Sequence, residues 1–366
     1  MRVCVAAICR NEEKNMEEFL NHVAKADAIS IVDTGSTDNT VRFIERFNHP
    51  ELHFAYDIDP NGGRNLGESR NLAAAPFKPD DLIVWLDIDE RFSDPDWVES
   101  LKSLPAVPDT VRINMHNNGS VYFQHKAYLK KRYAWKYRAH EVLVKIDNLP
   151  ESVVDADFHT THYPDLEKPR NYLPELAADV TDNPRDERSL FYYARELCYR
   201  VLDSCTAKNI DKQAYQEAVS EIARLNKLAY WEDYICLINV ELSCAAYMVG
   251  DRHTAISASN MAIAARPDRS ESYGTFADIM FRYGDYVYAL ALALQGINAK
   301  NQTPLLFDSS QSNLDLCLNI AYQCCESLGM VDKAIHYYAQ LCSVRGLDVN
   351  ESLKSSGLLE KLQKSQ

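Results

Sequence analysis

The chemistry in this sequence gathers around Trp85-Leu86-Asp87-Ile88-Asp89-Glu90, where two carboxylates stand at i and i+2 directly after an apolar run. In a strand, side-chain alternation puts Asp87 and Asp89 on the same side of the tip, within reach of one hard divalent cation that would hold a diphosphate. Three polar stretches accompany this motif. Cys9-Arg10-Asn11-Glu12-Glu13 follows one apolar run, and Val32-Asp33-Thr34-Gly35-Ser36-Thr37-Asp38-Asn39-Thr40 ends another. Asp33 sits at the tip of the second run, and Ser36 or Thr37 is placed to cap the next helix. Gly67-Glu68-Ser69-Arg70-Asn71 opens a helix, where the Arg70 guanidinium can pair with phosphate oxygens. Each stretch alone also has an ordinary reading: solvated turn formers at strand ends, an acid at Asp38 in a first helical turn, a surface arginine. Four such ends in order along one chain point to a ligand site.

The elements that position them follow from periodicity. Val3 to Ile8, Ala28 to Val32, Leu52 to Tyr56 and Leu82 to Leu86 are strand-like runs. Between them, Met16 to Ala26, Thr40 to Phe47 and Leu66 to Ala75 are spaced to bury one helical face. This alternation, continuing to about Val154, predicts an α/β layer with a largely parallel sheet, whose ligands bind at the carboxyl ends of strands. After Pro184 the strand signals stop and helical periodicity takes over. Gly250, Gly284 and Gly329 each separate two apolar helices, and an alanine stands five residues after each, at Ala255, Ala289 and Ala334. The first two glycines are 34 residues apart, so this region resembles tetratricopeptide (TPR) repeats, with Asn301 to Ser312 as an insertion and Pro267 ending a second helix. The consensus tryptophan is missing, which keeps an unrelated helical bundle as the alternative. The expected organisation is an α/β domain over 1–184 and an all-α, TPR-like solenoid over 185–366, with repeats from Asp186 to about Leu362.

At ~150 residues per domain, a chain of 366 residues predicts two or three domains. Hydrophobic content of 46% and charged content of 25% exclude disordered, collagenous and fibrous classes. No apolar stretch approaches the ~20 residues of a membrane span, and the N-terminus lacks a signal-peptide pattern. The ten cysteines lie scattered in apolar segments without a C-x-x-C pair, as small buried hydrophobes in a reducing compartment. Together these features predict a cytoplasmic protein. A net charge of −14 disfavours nucleic acid and anionic membrane as partners overall.

On Arg10-Asn11-Glu12-Glu13, Val32-Asp33-Thr34-Gly35-Ser36-Thr37-Asp38, Ser69-Arg70-Asn71-Leu72-Ala73 and Leu86-Asp87-Ile88-Asp89-Glu90, the chain resembles the inverting family-2 glycosyltransferases of GT-A fold over roughly residues 2–95. The resemblance implies a nucleotide-sugar donor, with UDP favoured. It implies that Arg10, Asn11, Glu12, Asp33, Arg70 and Asp87 bind the donor, with Asp33 at its base and Arg70 at the nucleotide or its phosphates. It assigns Mn²⁺ or Mg²⁺ to Asp87 and Asp89. The subgroup with C-terminal repeats is also similar further on, at Trp135, His140-Glu141 and His162-Tyr163. His162 becomes a third metal or phosphate ligand in that reading, with His159 competing for the place, and Trp135 and His140 fall on the acceptor side.

Displacing a nucleoside diphosphate from an anomeric carbon builds charge on the leaving phosphate, which a cation and Arg70 would stabilise. The incoming hydroxyl must lose a proton to a carboxylate, for which Glu141 is the first candidate and Glu90 the second. His140-Glu141 is no zincin site, because Val144 breaks H-E-x-x-H. From Lys126 to Arg138 the chain carries six basic residues, four aromatics and no acid. Such interleaving suits a nucleic-acid acceptor, and equally a β-hairpin with charges outward and aromatics inward. A glycan or protein acceptor fits the same sequence, and the repeats could hold a second copy of the chain in a homodimer. The rival functions are an inactive interaction scaffold and an Asp-x-Asp phosphohydrolase, the latter opposed by Arg91 where that chemistry wants Thr or Val.

Overall fold

The computed structural model describes residues 1–58, 64–117, 120–165, 171–301 and 310–359, and the chain divides into two units, Met1–Asp179 and Val180–Gln366. In the first unit the apolar runs become β1 (Val3–Cys9), β2 (Ala28–Asp33), β3 (Leu52–Tyr56) and β4 (Leu82–Trp85), paired in parallel in the order β3-β2-β1-β4. Helices α1 (Glu13–Val23), α2 (Thr40–Arg46) and α3 (Leu66–Ala74) connect them. β1 reads as an uninterrupted apolar run because both of its faces are covered. Val3, Val5 and Ala7 pack with Met16, Phe19 and Trp97 on one side; Cys4 and Ala6 pack with Ala73, Phe77 and Tyr128 on the other.

The remaining elements are β5 (Glu90–Phe92), α4 (Trp97–Lys102), β6 (Thr110–Asn117), β7 (Ser120–Leu129), β8 (Tyr133–Lys136), β9 (Val142–Lys145) and β10 (Val153–His162). They turn the parallel layer into a mixed eight-stranded sheet, β3-β2-β1-β4-β7-β6-β10-β5, with β8 and β9 as a separate hairpin. Two pairings matter for the site. β7 runs antiparallel to β4, setting Ala127 opposite Val84, and β10 runs antiparallel to β5, setting His162 opposite Glu90.

β4 stops at Trp85, so Asp87 and Asp89 lie in a turn rather than on a strand tip, and strand alternation is not what brings them together. The turn is closed by the Glu90 N–H donating to the Asp87 carbonyl at 3.0 Å. The cap of α2 also differs from expectation. Asp38 Oδ1 accepts from the N–H and hydroxyl of Thr40, while the Ser36 hydroxyl accepts from the Asn11 N–H.

The connecting helix α5 (Leu173–Asp182) is followed in the second unit by α6 (Glu187–Thr206), α7 (Lys212–Leu228), α8 (Glu232–Val249), α9 (Arg252–Ala265) and α10 (Glu271–Arg282). Then come α11 (Tyr286–Ile297), α12 (Ser310–Ser327), α13 (Val331–Val344) and α14 (Val349–Ser355). Successive helices pack as the pairs α6/α7, α8/α9, α10/α11 and α12/α13. Gly250, Gly284 and Gly329 sit between paired helices at φ of 83°, 80° and 72°, the left-handed conformation in which a helix ends before the chain reverses. Ala255, Ala289 and Ala334 are fully buried where the paired helices meet. Asp251 and Asp285, one residue after their glycines, accept from Thr254 and Tyr288 N–H groups and open the second helix. The TPR-like architecture thus forms without the consensus tryptophan. Residues 302–309 of the expected insertion and 360–362 of the expected last repeat lie outside the described residues. None of the ten cysteines is in a disulfide, and among the described residues no helix is long and apolar enough to cross a membrane.

Candidate active site

Arg70 is the centre of the site. It lies on α3, which is stapled to β8 and to the segment that follows it. Asn71 Nδ2 donates to the Trp135 carbonyl at 2.9 Å and Asn71 Oδ1 accepts from the Trp135 N–H at 2.8 Å. The first N–H groups of the helix, Leu66 and Gly67, donate to the Arg138 and Tyr137 carbonyls, both at 3.0 Å. Chain running through Tyr137 and His140, both at positive φ, then delivers Glu141 to the guanidinium. Arg70 Nε donates to Glu141 Oε1 at 2.6 Å and Nη2 to Asp87 Oδ1 at 2.8 Å, while its planar group lies 5.1 Å from the Trp85 ring and 4.9 Å from the Trp135 ring. One rigid fork thus joins two carboxylates that are 54 residues apart in sequence. Burial works against the Arg70 charge, but Asp87 and Glu141 outweigh it and raise its pKa. For Asp87, burial is outweighed by Arg70 and Lys126, and its carboxyl is held below the usual range.

Asp89 faces His162, whose Nε2 lies 3.1 Å from Asp89 Oδ2, and the Tyr163 N–H donates to the Asp89 carbonyl at 2.7 Å. The bond to Asp89 raises the His162 pKa against the effect of burial. Among the described residues no group of three or more His, Cys, Asp and Glu side chains is arranged for a metal. Asp89 and His162 nevertheless offer one oxygen and one nitrogen close enough to share an ion. That two-donor set fits a Mg²⁺- or Mn²⁺-like cation, which fills its other positions with water and phosphate oxygens.

A cleft of about 390 Å³ brings together Arg10, Glu12, Arg70, Asp87, Asp89, His140, Glu141 and His162 from the expected set. Of the two competing histidines, His162 lines it and His159 does not; the His159 backbone instead bonds Ser93. Four expected residues have other surroundings. Asn11 Oδ1 accepts from the N–H and hydroxyl of Thr37, tying the two loops together outside the cleft lining. Asp33 is 1% exposed, and its Oδ1 accepts from the N–H groups of Gly35 and Ser36 in the turn that follows. Trp135 is buried against Arg70 and is not among the residues that line the cleft. Glu90, the second candidate base, is 3% exposed and outside the lining, because Lys126 holds it at 2.5 Å.

Five of the six basic residues of the basic and aromatic segment bond within the unit, and the sixth, Lys136, is exposed. Lys126 pairs with Glu90, Lys131 with Asp80, Arg132 with Asp109 and Asp147, and Arg138 with Asp179, while Lys130 donates to the Ala75 and Phe77 carbonyls. Tyr128, Tyr133 and Trp135 are buried. The segment is not a hairpin of its own: it runs from the end of β7, which pairs with β4 and β6, into β8, which pairs with β9 in a separate sheet, with Lys126 buried and Lys131 and Lys136 exposed. Sequence reasoning missed Thr34, Arg64, Asp165 and Tyr172 in the lining. Thr34 was visible as the neighbour of Asp33; the others stand alone in sequence with no spacing to mark them.

The fold and cleft define an α/β enzyme domain whose site opens at the carboxyl ends of its parallel strands, followed by helical repeats. Residues 4–146, which lie within the N-terminal unit, match the model of glycosyl transferase family 2. No curated protein matches the chain. Among solved structures, TarS 1–349 of S. aureus is similar at 15% identity and a TM-score of 0.43, over 74% of this chain and 92% of that one. The mannosyltransferase PcManGT from Pyrobaculum calidifontis, solved with GDP-Man and Mn²⁺, is similar at 15% identity and 0.37, over 82% and 87%. MamA is similar at 14% identity and 0.36, over 48% and 86%.

Proposed function

We propose that the N-terminal unit is a metal-dependent inverting transferase that moves a sugar from a nucleotide-sugar donor, a UDP-sugar, to a hydroxyl of a glycan or protein acceptor. The observation that supports this most is the Arg70 fork, which holds Asp87 and Glu141 together in a cleft that also contains the Asp89–His162 pair. A cation held by Asp89 and His162 would neutralise charge on a departing diphosphate. Arg70 faces the same place with a guanidinium held against two indoles that pack edge to face, so it needs little reorganisation as charge develops. Glu141, anchored through Oε1, is the carboxylate that takes the acceptor's proton. The fork holds it at a set distance from Asp87, which keeps base and leaving group from drifting together.

Hydrolysis of UDP-sugars and GDP-sugars with Mn²⁺, with and without chelator and beside a generic phosphatase substrate, tests the reading. Asp89→Ala is expected to lower kcat/KM for the donor by about 10²-fold or more while the melting temperature stays near that of wild type. Unchanged turnover in that variant, or turnover of the phosphatase substrate alone, overturns it.

A further inference from the structure

Lys126 plays no part in the chemistry proposed above, yet its surroundings are among the most constrained in the molecule. It is fully buried on β7, a strand that reaches the site only because it runs antiparallel beside β4. Its ammonium lies 2.5 Å from Glu90 Oε2 and 3.5 Å from the centroid of the Trp85 ring. The same Glu90 Oε2 accepts the Asp87 N–H at 3.0 Å, and the Glu90 N–H returns to the Asp87 carbonyl at 3.0 Å. The turn that carries both aspartates is thus locked from behind by one carboxylate, and that carboxylate is neutralised by one buried cation. Trp85 in turn is the ring beneath Arg70. Removing that ammonium takes away the contact that holds the Glu90 side chain in place, and a Glu90 free to shift loosens the bond that fixes Asp87.

We infer that Lys126 is a positioning residue for donor binding: its buried ammonium keeps Glu90 in place as the clamp on the Asp87–Glu90 turn, and so sets the direction of Asp87 and Asp89. The inference rests on the proposed reading of the cleft as the donor site. Lys126 touches no substrate and acts through Glu90. Its effect therefore falls on the affinity for donor and cation, and removing both charges together, with the hydrogen bond kept, restores that affinity.

The experiment compares wild type, Asp89→Ala, Lys126→Met, Glu90→Gln/Lys126→Met and Glu90→Ala/Lys126→Met, each measured for kcat and KM in Mn²⁺-dependent UDP-sugar hydrolysis and for melting temperature. Wild-type hydrolysis that Asp89→Ala abolishes establishes the donor site independently of Lys126. Lys126→Met is then expected to raise donor KM about tenfold or more. The Gln pair, which keeps an acceptor for the Asp87 N–H, returns KM to within about threefold of wild type, whereas the Ala pair does not. Should Lys126→Met fail to fold, the contrast between the two neutral pairs carries the test. A folded Lys126→Met with wild-type KM, or Gln and Ala pairs with equal KM, overturns the inference.

Discussion

Both units bury an arginine that grips two carboxylates, and the comparison shows two ways a sequence can encode such a cluster. In the repeat unit, Arg266 bonds Asp233 and Asp268; one partner is two residues away and the other sits on the helix packed against its own. In the first unit, Arg70 bonds Asp87 and Glu141, 17 and 71 residues away, through a turn after β4 and a loop after β8. The repeat cluster ties neighbours that would be neighbours anyway. The Arg70 cluster exists only when three separate segments arrive together, and its carboxylates line an open cleft. A local cluster of this kind stabilises a repeat, while a nonlocal one makes a site whose charge awaits a ligand.

That contrast can be broken by substitution. Glu141→Gln keeps the shape of the fork's far end and removes its proton acceptor; a fall in kcat of about 10²–10⁴-fold with donor KM retained is the expected result, and an unchanged kcat would move the base elsewhere. Arg70→Met leaves Asp87 and Glu141 without their shared cation. It should cost about 10²–10³-fold in kcat/KM and lower the melting temperature, since breaking a buried pair costs ~3–5 kcal/mol. A side chain at Gly296 would collide with Cys317 Sγ and stand 3.1 Å from Tyr273 Cβ, between helices of adjacent pairs. Gly296→Val is therefore expected to destabilise the repeats by ~1–3 kcal/mol. Differential scanning calorimetry would show that transition moving while donor hydrolysis stays at the wild-type rate. Loss of hydrolysis in step with it would mean that the two units are not separable.

The smallest expected effect concerns His22, whose Nε2 accepts the Phe92 N–H at 3.0 Å. Burial, with Arg91 adding to it, lowers its pKa from 6.5 to about 4. Between those values the unfolded chain binds a proton that the folded chain does not, so stability rises with pH across that window and is lost as pH falls. Melting temperatures measured between pH 4 and 6.5 should climb in wild type and climb less in His22→Asn.

Much of this was legible because the signals were local. The four parallel strands and two of the three helices between them appear within one residue of their expected ends, and α1 starts and ends three residues earlier than expected, since each is specified by its own periodicity. The glycine and alanine spacing of the repeats was equally direct, because the left-handed conformation at Gly250, Gly284 and Gly329 lets the chain reverse and the small alanines let the paired helices meet. The aspartates after β4 were found for a partly wrong reason: their position after an apolar run was right, but the strand had already ended. The segment from Lys126 to Arg138 shows the limit of composition. A lysine looks the same in sequence whether it faces solvent or is fully buried against a glutamate, as Lys126 is.

The sequence alone determined the order of elements, the domain types and the places along the chain where polar groups follow strands, since each depends on residues a few positions apart. The tertiary structure decided that Arg70 meets Glu141, that His162 rather than His159 reaches Asp89, and that Lys126 backs Glu90. Those contacts arise from the pairing of β7 with β4 and of β10 with β5, and from the docking of β8 on α3. Chain closure over tens of residues leaves no periodic trace, because any of several strands could have supplied the neighbour until the sheet fixed one.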